Sequence, residues 1–334
     1  MERRIGFDTL KLFERTYQMK DIIILLCIIV PLKLNAQSFT PYSQFHINKV
    51  LYNPAAVGSE DQIRASMFVR KEWSTFPGTP HNNLLLADLP VNLNRMGIGI
   101  RVGNESIVAS NIWDAHLMYA YKINLAKGKL SFGMNVGFQR YQFDPNKIAI
   151  QDEDDVLLSS KHNAVYPNLG FGMLFMKNRF FIGASALSVL KHPDNSFLAE
   201  STNSFVNRNF ILNTSNTWKT SRDTKLEATI LASYNFQKNP LICASFIGNY
   251  REKIYVGTNV RSNKSMAIIL GIKLDKVASA FENMCLGYSY DVNFSSLNRY
   301  LNNTHEVTLN ISFDKPKSIP KERQKPVEIS PYDL

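Results

Sequence analysis

The chain has only three cysteines, Cys27, Cys243 and Cys285, in 334 residues. None stands in a CxxC pair or at a Cys/His ligand spacing, which excludes a zinc module and a disulfide-stapled scaffold. The six histidines (His46, His81, His116, His162, His192 and His305) are scattered and form neither HxH nor HxxxH. There is no GxSxG elbow to expose a nucleophilic serine, and no GxxxxGK[ST] loop to cradle phosphates. The chain also lacks an apolar run of the ~20 residues that a membrane helix needs. Its longest, Ile22–Val30, reads IIILLCIIV. Blocks of like charge are scarce. Net charge is +10, but the basic residues are dispersed near strand ends and loops. That dispersal fits a solvated basic surface better than a nucleic-acid stripe.

The short apolar run supplies a compartment. Lys20 precedes it and Leu34-Asn35-Ala36 follows. A charged n-region, an apolar h-region and a small-residue site define a secretory leader, here residues 1–36 with cleavage after Ala36. Met19, directly before Lys20, is an alternative start. Cys27 lacks the small-residue context of a lipidated cysteine. An exported chain without a helical anchor is either soluble or a β-barrel.

What the chain has in quantity is two-residue alternation. In Lys129–Tyr141, Leu130, Phe132, Met134, Val136 and Phe138 share one parity. Ser131, Gly133, Asn135, Gly137 and Gln139 share the other. Side chains alternate across a strand, so one face is apolar and the other small or polar. Glycines on the polar face suggest a lipid-facing wall backed by a crowded or wet interior. The pattern recurs. Strands are predicted at Ile63–Arg70, His81–Asp88, Met96–Asn104, Trp113–Ile123, Lys129–Tyr141, Val165–Met176, Arg179–Val189, Arg208–Trp218, Thr224–Phe236, Leu241–Tyr250, Ile254–Arg261, Ser265–Leu274, Phe281–Val292 and His305–Phe313. The longest gaps are the first, fifth, seventh and thirteenth, all odd-numbered. Outer-membrane barrels combine short turns at one mouth with long loops at the other. The expectation is therefore an all-β transmembrane antiparallel barrel of about 14 strands over residues 61–313. Tyr119, Tyr121, Tyr141, Tyr234, Tyr250, Tyr288, Tyr290 and Trp218 fall near strand ends, where aromatic girdles lie.

Residues 37–60 precede the barrel as a periplasmic or plug segment. Phe45, Ile47, Val50, Leu51 and Tyr52 fit one side of a short helix that Pro54 stops near Tyr52. The segment either docks over the core or plugs one barrel mouth. Residues 314–334, with many charges and several prolines, read as a flexible periplasmic tail. Asp152-Glu153-Asp154-Asp155, in the fifth connection, reads as a solvated loop rather than a calcium site. Asp114, His116 and Glu227 face the expected lumen, and interior salt bridges explain them better than a hydrolase site. Cys243 and Cys285 read as separate strand residues, with pairing left open. No cofactor, metal or catalytic residue is expected.

Several segments resemble the PorP/SprF proteins of the type IX secretion and gliding machinery. Tyr42-Ser43-Gln44-Phe45, then Leu51-Tyr52-Asn53-Pro54-Ala55 and Gly58, resemble the family's opening motif. Arg70-Lys71-Glu72-Trp73 with Gly78-Thr79-Pro80 is similar to its arginine–tryptophan–glycine–proline loop. Met96-Gly97-Ile98-Gly99 matches its third strand, and Tyr288–Asp291 and Thr304–Val307 resemble its closing strands. Ala56-Val57 and the proline-rich tail depart from the pattern. The resemblance implies a non-enzymatic outer-membrane protein that serves as a scaffold for periplasmic ring or peptidoglycan-binding lipoproteins, or in export and attachment of an adhesin. The matched positions Tyr42, Phe45, Tyr52, Asn53, Pro54, Arg70, Trp73, Gly78 and Pro80 are then candidate interaction residues. A diffusion channel for small solutes is the alternative that the alternation alone allows.

Overall fold

The structure is a computed structural model that describes residues 41–60, 62–74, 78–91, 95–147, 161–190, 209–235, 238–278, 281–294 and 303–314. Fourteen antiparallel strands form one closed barrel, in which each strand pairs with its sequence neighbours and the last with the first. They are β1 (Gln62–Lys71), β2 (His81–Val91), β3 (Met96–Ile107), β4 (Ser110–Leu125), β5 (Gly128–Phe143), β6 (His162–Lys177), β7 (Phe180–Ala186), β8 (Asn209–Lys219), β9 (Thr224–Asn235), β10 (Lys238–Tyr250), β11 (Ile254–Arg261), β12 (Ser265–Ala278), β13 (Phe281–Asn293) and β14 (Thr304–Asp314). Closure runs through β1 and β14, with Met67 opposite Leu309 and Val69 opposite Val307.

The alternation becomes two surfaces. Leu117, Tyr119, Phe132, Val136, Phe138, Ile182, Leu212, Phe246 and Leu270 stand exposed on the outer wall. Such a band is stable only against lipid, because water would leave this apolar area unburied. The other parity points inward: Ser131 and Asn135 on β5, and Thr229 and Ser233 on β9, are buried.

Most predicted strands recur within a few residues, with two instructive differences. The seventh was expected to reach Val189 but ends at Ala186, because Leu187 turns onto the apolar cluster inside the barrel. Above that point, among the described residues, no strand pairs with β6 on that side beyond the Val189 N–H donating to the Leu169 carbonyl at 2.9 Å, and Pro167 lies there. A residue without an N–H is tolerated where pairing is open. The girdle also loses one member: Tyr141 is buried, facing inward, while Tyr119, Tyr121, Tyr234, Tyr250, Tyr288 and Trp218 are exposed. Residues 1–36, expected as a leader, the acidic run at 152–155 and the expected tail from 315 lie outside the described residues.

Connections after odd-numbered strands include the long ones, 72–80, 144–161, 187–208 and 294–303, whereas the longest after even-numbered strands are 92–95 and 220–223. One mouth is therefore a long-loop mouth and the other a short-turn mouth.

Candidate functional site

The segment before β1 occupies the lumen. It was expected as one short helix, but it forms two separate 3-10 turns, Lys49–Leu51 and Pro54–Ala56. An asparagine starts each. The Asn48 side chain accepts from the Val50 N–H, and the Asn53 side chain from the Ala55 N–H, both at 2.9 Å. Asparagine favours this local capping over a continuous helix. Ile47 then packs with a different inner cluster from Phe45, Val50, Leu51 and Tyr52.

Chain direction follows from the contacts. Pro41–Gln44 sits near the long-loop mouth and Gly58 leads to β1 at the short-turn mouth. Around Ser43, Arg70 and Arg261 converge with Asp291 and Glu306. The Ser43 and Gln44 N–H groups donate to the two Glu306 carboxylate oxygens at 2.7 and 2.9 Å. Arg70 bridges Glu306 at 3.0 Å, Asp291 at 2.8 Å and Glu72 at 3.0 Å. Arg261 meets the same Asp291 oxygen at 2.8 Å. Both guanidiniums donate to the Ser43 hydroxyl, which donates to Asp291 at 2.6 Å. Asn259 donates to the Ser43 carbonyl at 2.9 Å. Each charge has an opposite partner, as a buried charge requires.

Lower down, the anchors are polar contacts set in apolar packing. Asn53 donates to the Met173 carbonyl at 3.0 Å, and Ser131 to the Ala55 carbonyl at 2.6 Å. Asp88 accepts from the Gly58 N–H at 2.8 Å and pairs with Arg64 at 3.2 Å, while the Lys122 ammonium donates to the Gly58 carbonyl. Phe45, Val50, Leu51, Tyr52 and Val57 pack with inward-facing Phe68, Leu84, Leu86, Leu174, Ile211 and Leu231. These wall residues break the polar parity, and only a filled lumen makes them favourable there.

The inner glycines mark where the segment passes. A Cβ on Gly133 would lie 2.3 Å from the Ala55 nitrogen, and one on Gly172 2.1 Å from the Asn53 side-chain oxygen. Their small size is a condition of plug fit, so the interior is crowded rather than wet at this height.

Two cavities flank the buried stretch. On the long-loop side a cup of about 420 Å³ is lined by Tyr42, Trp73, Pro80, Arg101, Glu105 and Asp114, among others. On the short-turn side a cleft of about 210 Å³ is lined by His46, Lys49, Glu60, Arg64 and Glu227, among others. Asp114 pairs with Arg101 at 3.0 Å and lies 3.5 Å from His116. Glu227 instead accepts from Ser215 and Thr229 hydroxyls on the other side of the barrel. The lumen-facing polar residues therefore do not form one constellation. Cys243 and Cys285 are both free and buried.

Of the candidate interaction residues, Phe45, Tyr52, Asn53, Pro54 and Arg70 are buried within the barrel, with Tyr42 beside them on the floor of the cup. Arg70 is itself a wall residue that meets Ser43 of the plug, and the plug residues among them pack on one another and on the barrel's own wall. Trp73 and Pro80 line the cup, and Gly78 shapes the first loop: its φ is +76°, and its carbonyl accepts from the Val108 N–H at 3.0 Å. The sequence reasoning did not single out Asp88, Asn259, Arg261, Asp291 or Glu306 as site residues. Asp291 and Glu306 fall inside the quoted closing segments, and that was the available signal.

No curated protein matches the chain. Among solved structures it is similar to the CymD monoaromatic hydrocarbon channel, at 11% identity over 84% of this chain and 94% of that one, with a TM-score of 0.48. It is also similar to the toluene transporter TodX of P. putida, at 8% identity over 80% and 94%, TM-score 0.46. For the Acinetobacter baumannii outer membrane protein Omp33 the values are 8%, 76%, 99% and 0.43. The family described as type IX secretion system membrane protein PorP/SprF matches residues 34–311, across every strand but the end of the last. The chain belongs to the PorP/SprF family of type IX secretion membrane proteins and is an outer-membrane β-barrel.

Proposed function

We propose that this barrel is a non-catalytic scaffold of the type IX secretion and gliding machinery, not a diffusion pore. The observation that carries the reading is the lumen filled by residues 41–60, pinned at the Arg70–Glu306–Asp291–Arg261 cluster and at Asp88 and Lys122. A pore for solutes needs a continuous wet path, whereas here Asn53–Val57 is fully buried between two separate cavities. With its termini and short turns in the periplasm, the barrel presents its long loops outside. The periplasmic face and tail then hold ring or peptidoglycan-binding lipoproteins, or the loops and cup serve export and attachment of an adhesin.

The test is mild-detergent purification from native outer membranes, with mass spectrometry of what remains bound and planar-bilayer conductance of the same material. Stoichiometric lipoprotein or adhesin with a silent bilayer is the expected result. A lone barrel that conducts overturns the reading in favour of the channel.

A further inference from the structure

The short-turn mouth carries cations that make no ion pair with the described plug residues, although Arg179 also borders the short-turn cleft. Arg95 stands in the second connection, Lys127 in the fourth, Arg179 in the sixth, Arg222 in the eighth, and Arg251 and Lys253 in the tenth. All six are exposed. The acids described in these connections are Asp223 and Glu252. Both already face cations: Glu252 pairs with Lys225, and Asp223 lies 3.8 Å from Arg251. The opposite mouth is mixed, with Glu72 and Asp144 among Lys147, Lys161 and Lys264, and the sequence of its fifth connection adds the run Asp152–Asp155.

Aromatic rings on the outer wall adjoin this rim. Trp218 is the next-to-last residue of β8, beside Lys219, Tyr250 ends β10 beside Arg251, and Phe180 follows Arg179; all three rings are exposed. The Arg251 guanidinium lies over the Tyr250 ring, 5.3 Å from its centroid. Rings at headgroup level with cations just beyond them mark the boundary of the hydrocarbon layer.

We propose that this rim binds the headgroups of anionic phospholipids, so that the barrel holds a shell of them around its short-turn mouth. Circumference decides between lipid and a protein partner. The cations come from five of the six even-numbered connections, spread over the arc of the closed barrel from β2 to β11, while the twelfth carries none. A docked protein covers one sector, whereas the lipid annulus meets every turn. Attraction between an exposed cation and an anionic headgroup acts within a Debye length of ~10 Å at 0.1 M salt.

The experiment reconstitutes the full mature chain in vesicles of equal phosphatidylcholine and phosphatidylglycerol. It then extracts the protein in mild detergent and counts retained lipids by native mass spectrometry. The expected result is enrichment of phosphatidylglycerol that falls when salt is raised. It should be abolished by combined Arg95→Gln, Lys127→Gln, Arg179→Gln, Arg222→Gln, Arg251→Gln and Lys253→Gln, and retained by Lys71→Gln, Lys147→Gln and Lys161→Gln at the other mouth. If the sixfold variant does not fold, salt sensitivity of the unmodified protein decides. Equal retention of both lipids, or enrichment indifferent to salt, overturns the proposal. So does an acidic protein from native membranes that is lost with the rim cations while lipid preference persists.

Discussion

Replacing Glu306 with alanine tests whether the charge cluster holds the plug. Glu306 is fully buried and does two jobs: it accepts both leading plug amides, and it neutralises Arg70. Alanine leaves those amides without acceptors and Arg70 with Asp291 and Glu72. Breaking a buried pair costs about 3–5 kcal/mol, and the surviving carboxylates hold the loss near 4 kcal/mol. A loss of that size weakens plug seating about a thousandfold. Cys243 reports it directly, because it is fully buried in the cluster that includes Phe45 and Tyr52. In a Cys285→Ser background, maleimide labelling of Cys243 should accelerate steeply in Glu306→Ala and less in Glu306→Gln, which keeps a carbonyl acceptor. Adding Arg70→Met to Glu306→Met should cost less than the two single losses combined, because each single change already breaks the Arg70–Glu306 pair and the double change removes both of its ends. Labelling as slow as in the parent, or strictly additive losses, would refute the reasoning.

Gly133→Leu should unseat Pro54–Ala55 and give bilayer conductance, whereas Gly248→Ala, whose new Cβ meets nothing closer than 3.7 Å, should stay silent. Both lumen cysteines should resist thiol reagents in the native barrel and react after unfolding, with no mobility change on reduction in a denaturing gel. The Glu252 carboxyl is held below its ordinary value of 4.5 by its hydrogen bond with Lys225 and by that ammonium's charge. Its contribution is therefore present in full above about pH 4.5 and lost as pH falls through the lower folded value. The Glu252 side chain is 67% exposed, so solvent screening limits the effect to less than ~1 kcal/mol. Melting curves of the parent and Glu252→Gln should differ slightly at neutral pH and converge in acid.

Much of the wall was legible because a membrane strand writes its environment locally. Ile254–Arg261 coincides with β11, and Lys129–Tyr141 extends only to Gly128–Phe143. The filled interior also left a trace in Phe68, Leu84, Leu86, Ile211 and Leu231, apolar residues on the inward parity. Reading each strand for its cleaner outer face passes over them. The family resemblance pointed at Tyr42, Asn53 and Arg70 without saying what they touch. Ser43 meets Asp291 across 248 positions of sequence, a separation that no local spacing encodes.

The sequence by itself determined the barrel: strand number, face polarity and the division into a long-loop and a short-turn mouth follow from period-two patterning and gap lengths, which are local properties. Only the tertiary structure decided that the segment before β1 lies inside. That outcome depends on barrel closure, which brings β1, β11, β13 and β14 around one serine and sets the wall glycines against the chain that fills the lumen.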